Sequence, residues 1–314
     1  MDIVFQAVLL VVGFVMLIKG ADWFVEGASK IADRFGIPQL VIGLTIVAMG
    51  TSAPEAAVSL ASALRGSAEL TVGNVLGSNI LNVLIILGLT ATVRSIAVQK
   101  STIKYEMPFV IIISALMGVL GLADGEISRI EGIILWALFL VYMVYLLIMA
   151  KKGQGAEQEE IMPDSKTDSM LKLIVLVIVG VVLIVWGSDI TVDAATALAT
   201  MFGMTERLIG LTIVALGTSL PELVTSVTAA IKGKADIAVG NVVGSNIFNI
   251  LFVAGTTALI TPVAYSASFM VDTVTAAAAV LLLWICVLPK KKLGRPAGIL
   301  MLACYVAYFI YLIQ

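Results

Sequence analysis

The chain has 314 residues, of which 60% are hydrophobic and only 13% are charged, and its mean hydropathy is +1.10. These values are typical of an all-α integral membrane protein whose helices contact lipid. A net charge of −2 and few basic residues do not suggest nucleic-acid binding, and the absence of histidine excludes imidazole-based zinc sites and histidine catalysis.

In chain order, apolar stretches of the length that a bilayer requires predict ten transmembrane helices. A polar segment between the fifth and sixth of them is typical of a solvated linker. It divides the chain into an N-terminal unit, 1–150, the linker, 151–169, and a C-terminal unit, 170–314. The predicted helices cover residues 3–28, 38–64, 70–93, 107–123, 130–150, 170–198, 207–231, 237–260, 268–288 and 297–313.

The two units repeat each other in sequence. GLTIVAMGTSAPE at 43–55 recurs as GLTIVALGTSLPE at 210–222, and VGNVLGSNILN at 72–82 recurs as VGNVVGSNIFN at 239–249, both at an offset of 167 residues. Each unit is therefore predicted to contain five helices. Because five is odd, the second unit enters the membrane from the opposite side, which makes the two units inverted repeats.

The basic residues predict the orientation in the membrane. Ten spans place 15 of the 19 lysines and arginines in loops on one side, and only Arg65, Arg129 and Arg207 on the other. Cytoplasmic loops carry the excess of lysine and arginine. We therefore expect a multi-pass protein of the plasma or inner membrane, with a cytoplasmic linker and both termini outside.

The GTSAPE motif and its copy GTSLPE predict a local break in a membrane helix. Pro54 lacks an N–H group and clashes with the preceding turn, while Gly50 allows irregular backbone angles. Backbone groups that lose their intrahelical hydrogen bonds are stable inside a membrane only where neighbouring protein or a water-filled cavity provides other partners. The carbonyl oxygens among them can coordinate a cation. We expect broken second, third, seventh and eighth helices that form an ion site at the membrane midplane.

Glu55 and Glu222 occupy matching positions in the two motifs. A single ionisable group at the bilayer centre costs on the order of 3 kcal/mol, so a matched pair in inverted repeats indicates a shared ion at the midplane. Glu106 and Asp272 lie near span ends and receive no role. The small and amide residues of the second motif are expected to serve mainly helix packing and interhelical hydrogen bonds; these are Asn74, Gly77, Asn79, Asn241, Gly244 and Asn246.

These motifs closely resemble the two alpha-repeats of the cation/calcium exchanger superfamily, especially prokaryotic sodium/calcium exchangers, over almost the whole chain. The resemblance implies alternating access, in which the first and sixth helices slide against a core bundle that holds the site. Many relatives have aspartate at one of the two late positions where this chain has asparagine, so a third titratable ligand is missing. The metal-ion ligands that the resemblance implies are Ala48 and Ala215 through their carbonyls, with the side chains of Thr51, Ser52, Glu55, Ser78, Asn82, Thr218, Ser219, Glu222, Ser245 and Asn249.

The leading functional hypothesis is a secondary antiporter that exchanges Na⁺ for Ca²⁺, both of them transported substrates. Carboxylate, hydroxyl, amide and carbonyl oxygens suit these hard cations. Proton/Ca²⁺ exchange, K⁺-dependent exchange in the same fold and, from another class, a cation channel stay open as alternatives. Because the glutamates come without a nucleophile–base arrangement, an enzyme is not expected. We expect the protein to interact with the lipid bilayer, and we expect no cofactor, no nucleic acid and no obligate protein partner.

Overall fold

The computed structural model describes residues 3–64, 68–152, 168–203 and 215–312. Within these residues, eight helices are long and apolar enough to cross a membrane, and one bent pair can form a ninth span, which confirms an all-α membrane architecture. A short helical turn covers Ala215–Gly217. The helices are α1 (Ile3–Phe35), α2 (Gln39–Thr51), α3 (Ala53–Leu64), α4 (Leu70–Val93), α5 (Thr102–Asp124), α6 (Arg129–Lys152), α7 (Met170–Met201), α8 (Leu220–Ile231), α9 (Ala235–Ile260), α10 (Phe269–Val287) and α11 (Arg295–Leu312).

The second predicted helix is broken as expected. Helices α2 and α3 together form it, and they meet at Ser52 with a bend of 48°. The seventh predicted helix is interrupted at residues 218–219, between the short turn and α8. Residues 204–214, in which that predicted helix starts, lie outside the described part of the chain, as do Arg65 and Arg207 of the orientation argument and most of the linker, 153–167.

The third and eighth predicted helices are continuous, so the expectation that they are broken is wrong. Each runs as one helix, α4 or α9, with a π-helical segment in the middle: Asn82–Leu87 in α4 and Phe248–Ala254 in α9. The physical reason is that neither span contains proline, so no backbone donor is lost. The π-helical turn accommodates the extra residue while its hydrogen bonds stay within the helix.

Helices α1 and α7 pack against each other through a stripe of glycines. A Cβ atom on Gly13 would lie 2.9 Å from the carbonyl oxygen of Gly187, and one on Gly20 would lie 2.8 Å from that of Gly180. As numbering rises along α1 it falls along α7, so the two helices are antiparallel. In lipid, where hydrophobic attraction between helices is absent, such small residues permit the close van der Waals contact that joins two helices.

Two short antiparallel ladders join the two halves of the chain. Strand β1 (Ile96–Ala97) pairs with β4 (Lys292–Leu293), and β2 (Glu126–Ile127) pairs with β3 (Val263–Ala264). Each ladder connects the loop after one span to a loop of the other half. The backbone groups of these loops are thereby satisfied at both ends of the helix bundle.

The end of the linker is tied to α1. The carboxylate of Asp168 accepts hydrogen bonds from Lys172 at 2.6 Å and from Lys30 at 2.7 Å, and Arg34 donates to the Asp168 carbonyl at 2.9 Å. The hydrogen bonds from Lys172 and then Lys30 lower the pKa of Asp168 to about 2. The last residues of the linker therefore lie beside α1, at the start of α7.

Candidate ion-binding site

Both breaks place a glutamate in the first turn of the helix that follows. Ser52 and Ser219 have non-helical backbone angles, φ −83° ψ 8° and φ −92° ψ 3°, and a proline follows each two residues later. Proline is compatible with the first turn because N–H groups there have no intrahelical acceptor, so its missing N–H costs no hydrogen bond. An acidic side chain is favoured there by the helix dipole. Glu55 and Glu222 accordingly lie at the start of α3 and α8 and are 2% and 1% exposed.

The two breaks face each other, because each serine contacts the glutamate of the other repeat. The Ser52 hydroxyl donates to Glu222 Oε1 at 2.7 Å, and the Ser219 hydroxyl donates to Glu55 Oε1 at 3.4 Å. The serine and glutamate of one repeat are three residues apart, on one turn of chain. The structure thus brings together the two carboxylates that the duplicated motif singled out.

A second pair of contacts ties α4 and α9 to the breaks. Asn74 donates through Nδ2 to the carbonyl of Glu55 at 3.0 Å, and Asn241 donates to the carbonyl of Glu222 at 3.3 Å. These amides therefore join α4 to α3 and α9 to α8 directly beside the two glutamates. The expectation of interhelical hydrogen bonding at these two asparagines is confirmed.

Asn79 and Asn246 form a reciprocal latch between α4 and α9. The Nδ2 group of each donates to the other's backbone carbonyl, both at 3.3 Å. A backbone carbonyl can only accept, so each Nδ2 position is fixed and each Oδ1 is left to accept from a third residue. Those acceptors are used: Asn82 Nδ2 donates to Asn246 Oδ1 at 3.0 Å, and Asn249 Nδ2 donates to Asn79 Oδ1 at 3.2 Å.

The latch determines which side-chain atom of Asn82 and of Asn249 stays free to coordinate an ion. With both amide nitrogens engaged, the Oδ1 atoms of Asn82 and Asn249 are buried without a hydrogen-bond partner. Oε2 of Glu55 and Oε2 of Glu222 are in the same condition. Buried oxygens without donors are costly, so four of them among the predicted ligands indicate a site built to receive a positively charged species.

The remaining predicted ligands differ in burial and in hydrogen bonding. Ser78 and Ser245 are buried, and the Ser245 hydroxyl reaches the Ala48 carbonyl at 3.4 Å. Thr51 is buried and its hydroxyl lies 2.9 Å from Asn241 Oδ1. Ala215 begins the short helical turn, directly after the undescribed residues 204–214. Thr218 is half-buried and lies at the interruption itself.

Asn79 and Asn246 are the residues whose part in the site sequence reasoning missed. They were expected to serve mainly packing and interhelical hydrogen bonds, and their contacts do join two helices but also orient two of the predicted ligands. Their spacing of three residues before Asn82 and Asn249 places them on the same helix faces. That spacing is the only sequence signal of their position beside the site.

The chain matches known proteins across both halves. A model of the sodium/calcium exchanger protein family matches residues 5–148 and 172–314. The inner membrane protein YrbG of Escherichia coli is 39% identical over 97% of this chain and 95% of its own length. The sodium/calcium exchanger MaX1 of Methanosarcina acetivorans is 31% identical over 97% of each chain.

A solved structure is similar over the same extent. The sodium-calcium exchanger NCX_Mj, in crystals soaked with Na⁺ and Sr²⁺, superposes with a TM-score of 0.83 and 32% sequence identity, covering 98% of both chains. The superposition therefore extends over nearly the whole chain, including both copies of the repeated motifs. Because the family model and these relatives match nearly the whole sequence, the chain belongs to the sodium/calcium exchanger protein family.

Proposed function

We propose that this protein is a secondary active antiporter that exchanges Na⁺ for Ca²⁺ by alternating access. The family relation supports the broader class, antiport of a cation against Ca²⁺. The observation that carries the proposal is the set of four buried, unpartnered oxygens, two from carboxylates and two from amides. Oxygen ligands without imidazole or thiolate suit Ca²⁺ and Na⁺, and Mg²⁺ is less suited because it retains its waters.

The charge of the site favours exchange over one-way transport. Two ionised glutamates contribute −2, which one Ca²⁺ or two Na⁺ balance, while an empty site would carry two uncompensated charges through the membrane interior. An unloaded crossing is therefore unfavourable, as coupled exchange requires. If three Na⁺ enter for each Ca²⁺ that leaves, one net charge moves inward, which is worth about 2.3 kcal/mol per 100 mV.

We assign the ion ligands to the twelve residues that the family resemblance implies. The carboxylates of Glu55 and Glu222 supply the charge, and the Oδ1 atoms of Asn82 and Asn249 supply neutral oxygens already aimed by the latch. The hydroxyls and carbonyls complete the set without further charge. The full set is Ala48, Thr51, Ser52, Glu55, Ser78, Asn82, Ala215, Thr218, Ser219, Glu222, Ser245 and Asn249.

The proposed topology is ten transmembrane helices in two inverted five-helix repeats, with the linker in the cytoplasm and both termini outside. Contacts between loops support it, because they join loops assigned to the same side. Strand β1 pairs with β4 and Arg94 donates to the Ile231 carbonyl, all on the predicted cytoplasmic side. Strand β2 pairs with β3 and Arg129 donates to the Ile260 carbonyl, all on the predicted outer side.

The antiparallel α1–α7 pair supports sliding as the mechanism of alternating access. These are the first and sixth predicted helices, and pseudo-symmetric helices of inverted repeats run in opposite directions. Their glycine stripe joins them to each other more closely than any side-chain packing would allow. They can therefore move as one unit across the surface of the core bundle that holds the site.

An ion-substitution flux assay tests the proposed coupling. Purified protein in Na⁺-loaded proteoliposomes is expected to take up ⁴⁵Ca²⁺ only when the Na⁺ gradient is present. Uptake driven by a pH gradient without Na⁺ would identify proton exchange, and a requirement for K⁺ together with Na⁺ would identify the K⁺-dependent type. Uptake that needs no counter-ion gradient, with single-channel currents in planar bilayers, would refute antiport altogether.

Charge-neutral variants test the assigned ligands. Glu55→Gln and Glu222→Gln each remove one charge and preserve side-chain size, so transport should fall below detection while the protein remains folded and inserted. Asp272→Asn is the matched control, a membrane carboxylate that lies outside the site and bonds to Tyr308. If both glutamine variants retain wild-type transport, the assignment of the carboxylates is wrong.

A further inference from the structure

A second polar feature lies on the lipid-facing side of the bundle, between α5 and α6. It is a cavity of about 380 Å³ near the start of α5. Neither helix contributes any of the twelve proposed ion ligands, so this cavity is separate from the ion site. Its lining includes Lys104, Glu106, Phe109, Ile112, Val141 and Tyr142.

A carboxylate at the wall of this cavity has one oxygen without a partner. Glu106 is 1% exposed, and its Oε1 accepts a hydrogen bond from the Tyr145 hydroxyl. Its Oε2 and the Tyr142 hydroxyl are both buried and have no hydrogen-bond partner, and Tyr142 is only 4% exposed. An unpartnered acceptor beside a cavity at the end of a membrane span can accept a hydrogen bond from a molecule that enters the cavity from the membrane–water boundary.

The second repeat provides an internal comparison. Asp272 and Tyr308 lie 166 residues after Glu106 and Tyr142, and there the tyrosine donates directly to the carboxylate at 2.7 Å. Asp272 is half-buried and is not left with a buried, unpartnered oxygen. The unmet acceptor therefore belongs to the first repeat alone, and the symmetry of the duplication does not account for it.

The remaining walls match an amphiphile. Phe109 stacks on Tyr142 with ring centroids 5.7 Å apart, and Ile112 and Val141 are 62% and 65% exposed toward the lipid. Lys104 is exposed at the mouth, with its ammonium 5.0 Å from the Tyr105 ring. The cavity thus combines an apolar groove, a cation at the entrance and a carboxylate acceptor at the wall.

We propose that this cavity binds a phospholipid with a primary-ammonium headgroup, such as phosphatidylethanolamine. The headgroup ammonium donates to Glu106 Oε2, the phosphate pairs with Lys104, and an acyl chain lies along Phe109, Ile112 and Val141. A choline headgroup carries the same charge but has no N–H to donate, so it cannot satisfy the carboxylate. An anionic headgroup would pair with Lys104 but be repelled by Glu106.

Competition between lipids of identical acyl chains tests the proposal. Full-length protein, delipidated in detergent, is mixed with phosphatidylethanolamine, phosphatidylcholine and phosphatidylglycerol, and retained lipid is measured by native mass spectrometry. The wild type should retain one phosphatidylethanolamine with about tenfold preference over phosphatidylcholine, as expected for a charge-assisted hydrogen bond. Glu106→Gln should remove most of that preference, whereas Asp272→Asn should leave it unchanged.

A second variant keeps the test decisive if Glu106→Gln fails to fold. Lys104→Gln changes an exposed residue and should weaken retention of both phosphatidylethanolamine and phosphatidylcholine without altering the ratio between them. The proposal is overturned if the wild type does not distinguish the two lipids, or if phosphatidylglycerol is preferred. It is equally overturned if Asp272→Asn reduces the preference as much as Glu106→Gln does, or if Lys104→Gln retains both lipids as the wild type does.

Discussion

The asparagine latch predicts that a residue outside the proposed ligand set controls Ca²⁺ affinity. In Asn246→Ala, Asn82 Nδ2 loses the Oδ1 acceptor at 3.0 Å that now fixes its amide. If Asn82 then keeps Oδ1 aimed at the ion, its Nδ2 stays buried and unpaired. Any other orientation that pairs the nitrogen turns the oxygen away from the ion.

The size of the effect follows from that competition. Leaving a buried donor unpaired costs about 1–3 kcal/mol, so the orientation that binds the ion becomes less populated by the same free energy. Since 1.4 kcal/mol corresponds to a factor of ten, the KM for Ca²⁺ should rise roughly 5- to 150-fold. Turnover at saturating Ca²⁺ should change little, because all the proposed ligands are still present.

Initial rates of ⁴⁵Ca²⁺ uptake into Na⁺-loaded proteoliposomes, measured across a range of Ca²⁺ concentrations, separate KM from maximal rate. Asn246→Asp restores an oxygen acceptor for Asn82 and should recover part of the affinity. Thr257→Val is the matched control, since it removes a buried hydroxyl from the same helix α9 whose bond, to the Val253 carbonyl at 2.9 Å, lies within that helix. A KM equal to that of wild type in Asn246→Ala, together with reduced thermal stability, would show that the latch only supports the fold.

Two further predictions concern helix packing and the linker. Gly187→Ala would place a Cβ atom 2.9 Å from a backbone carbonyl of α1 and should slow transport severely, whereas Gly73→Ala, whose nearest neighbour would lie at 3.6 Å, should transport normally in the same flux assay. For Asp168, Lys172 and then Lys30 hold the pKa at about 2, below the usual 3.8. The stabilisation is complete above pH 4 and lost as pH falls through 2, so the difference in melting temperature between wild type and Asp168→Asn should shrink over that range; a constant difference would contradict this.

Sequence reasoning reached the class of protein, the duplication and the positions of the two glutamates. These are local or compositional properties: hydropathy over a bilayer-length window, a repeat at fixed offset, and a proline that removes a backbone donor wherever it stands. The breaks at Ser52 and before α8 follow from the same local chemistry, because no neighbouring helix can restore the missing N–H.

Tertiary structure decided the features that depend on a partner from the other half. Asn79 and Asn82 are chemically identical in the sequence. Only Asn246, which lies opposite them in space and 167 residues from Asn79, distinguishes the two: its backbone carbonyl accepts from Asn79, whereas its Oδ1 accepts from Asn82 and so leaves Asn82 Oδ1 without a partner. Likewise, the sequence places Glu106 and Asp272 at matching positions of the two repeats, and only the tertiary structure shows that Glu106 has a buried oxygen without a partner while Asp272 accepts from Tyr308.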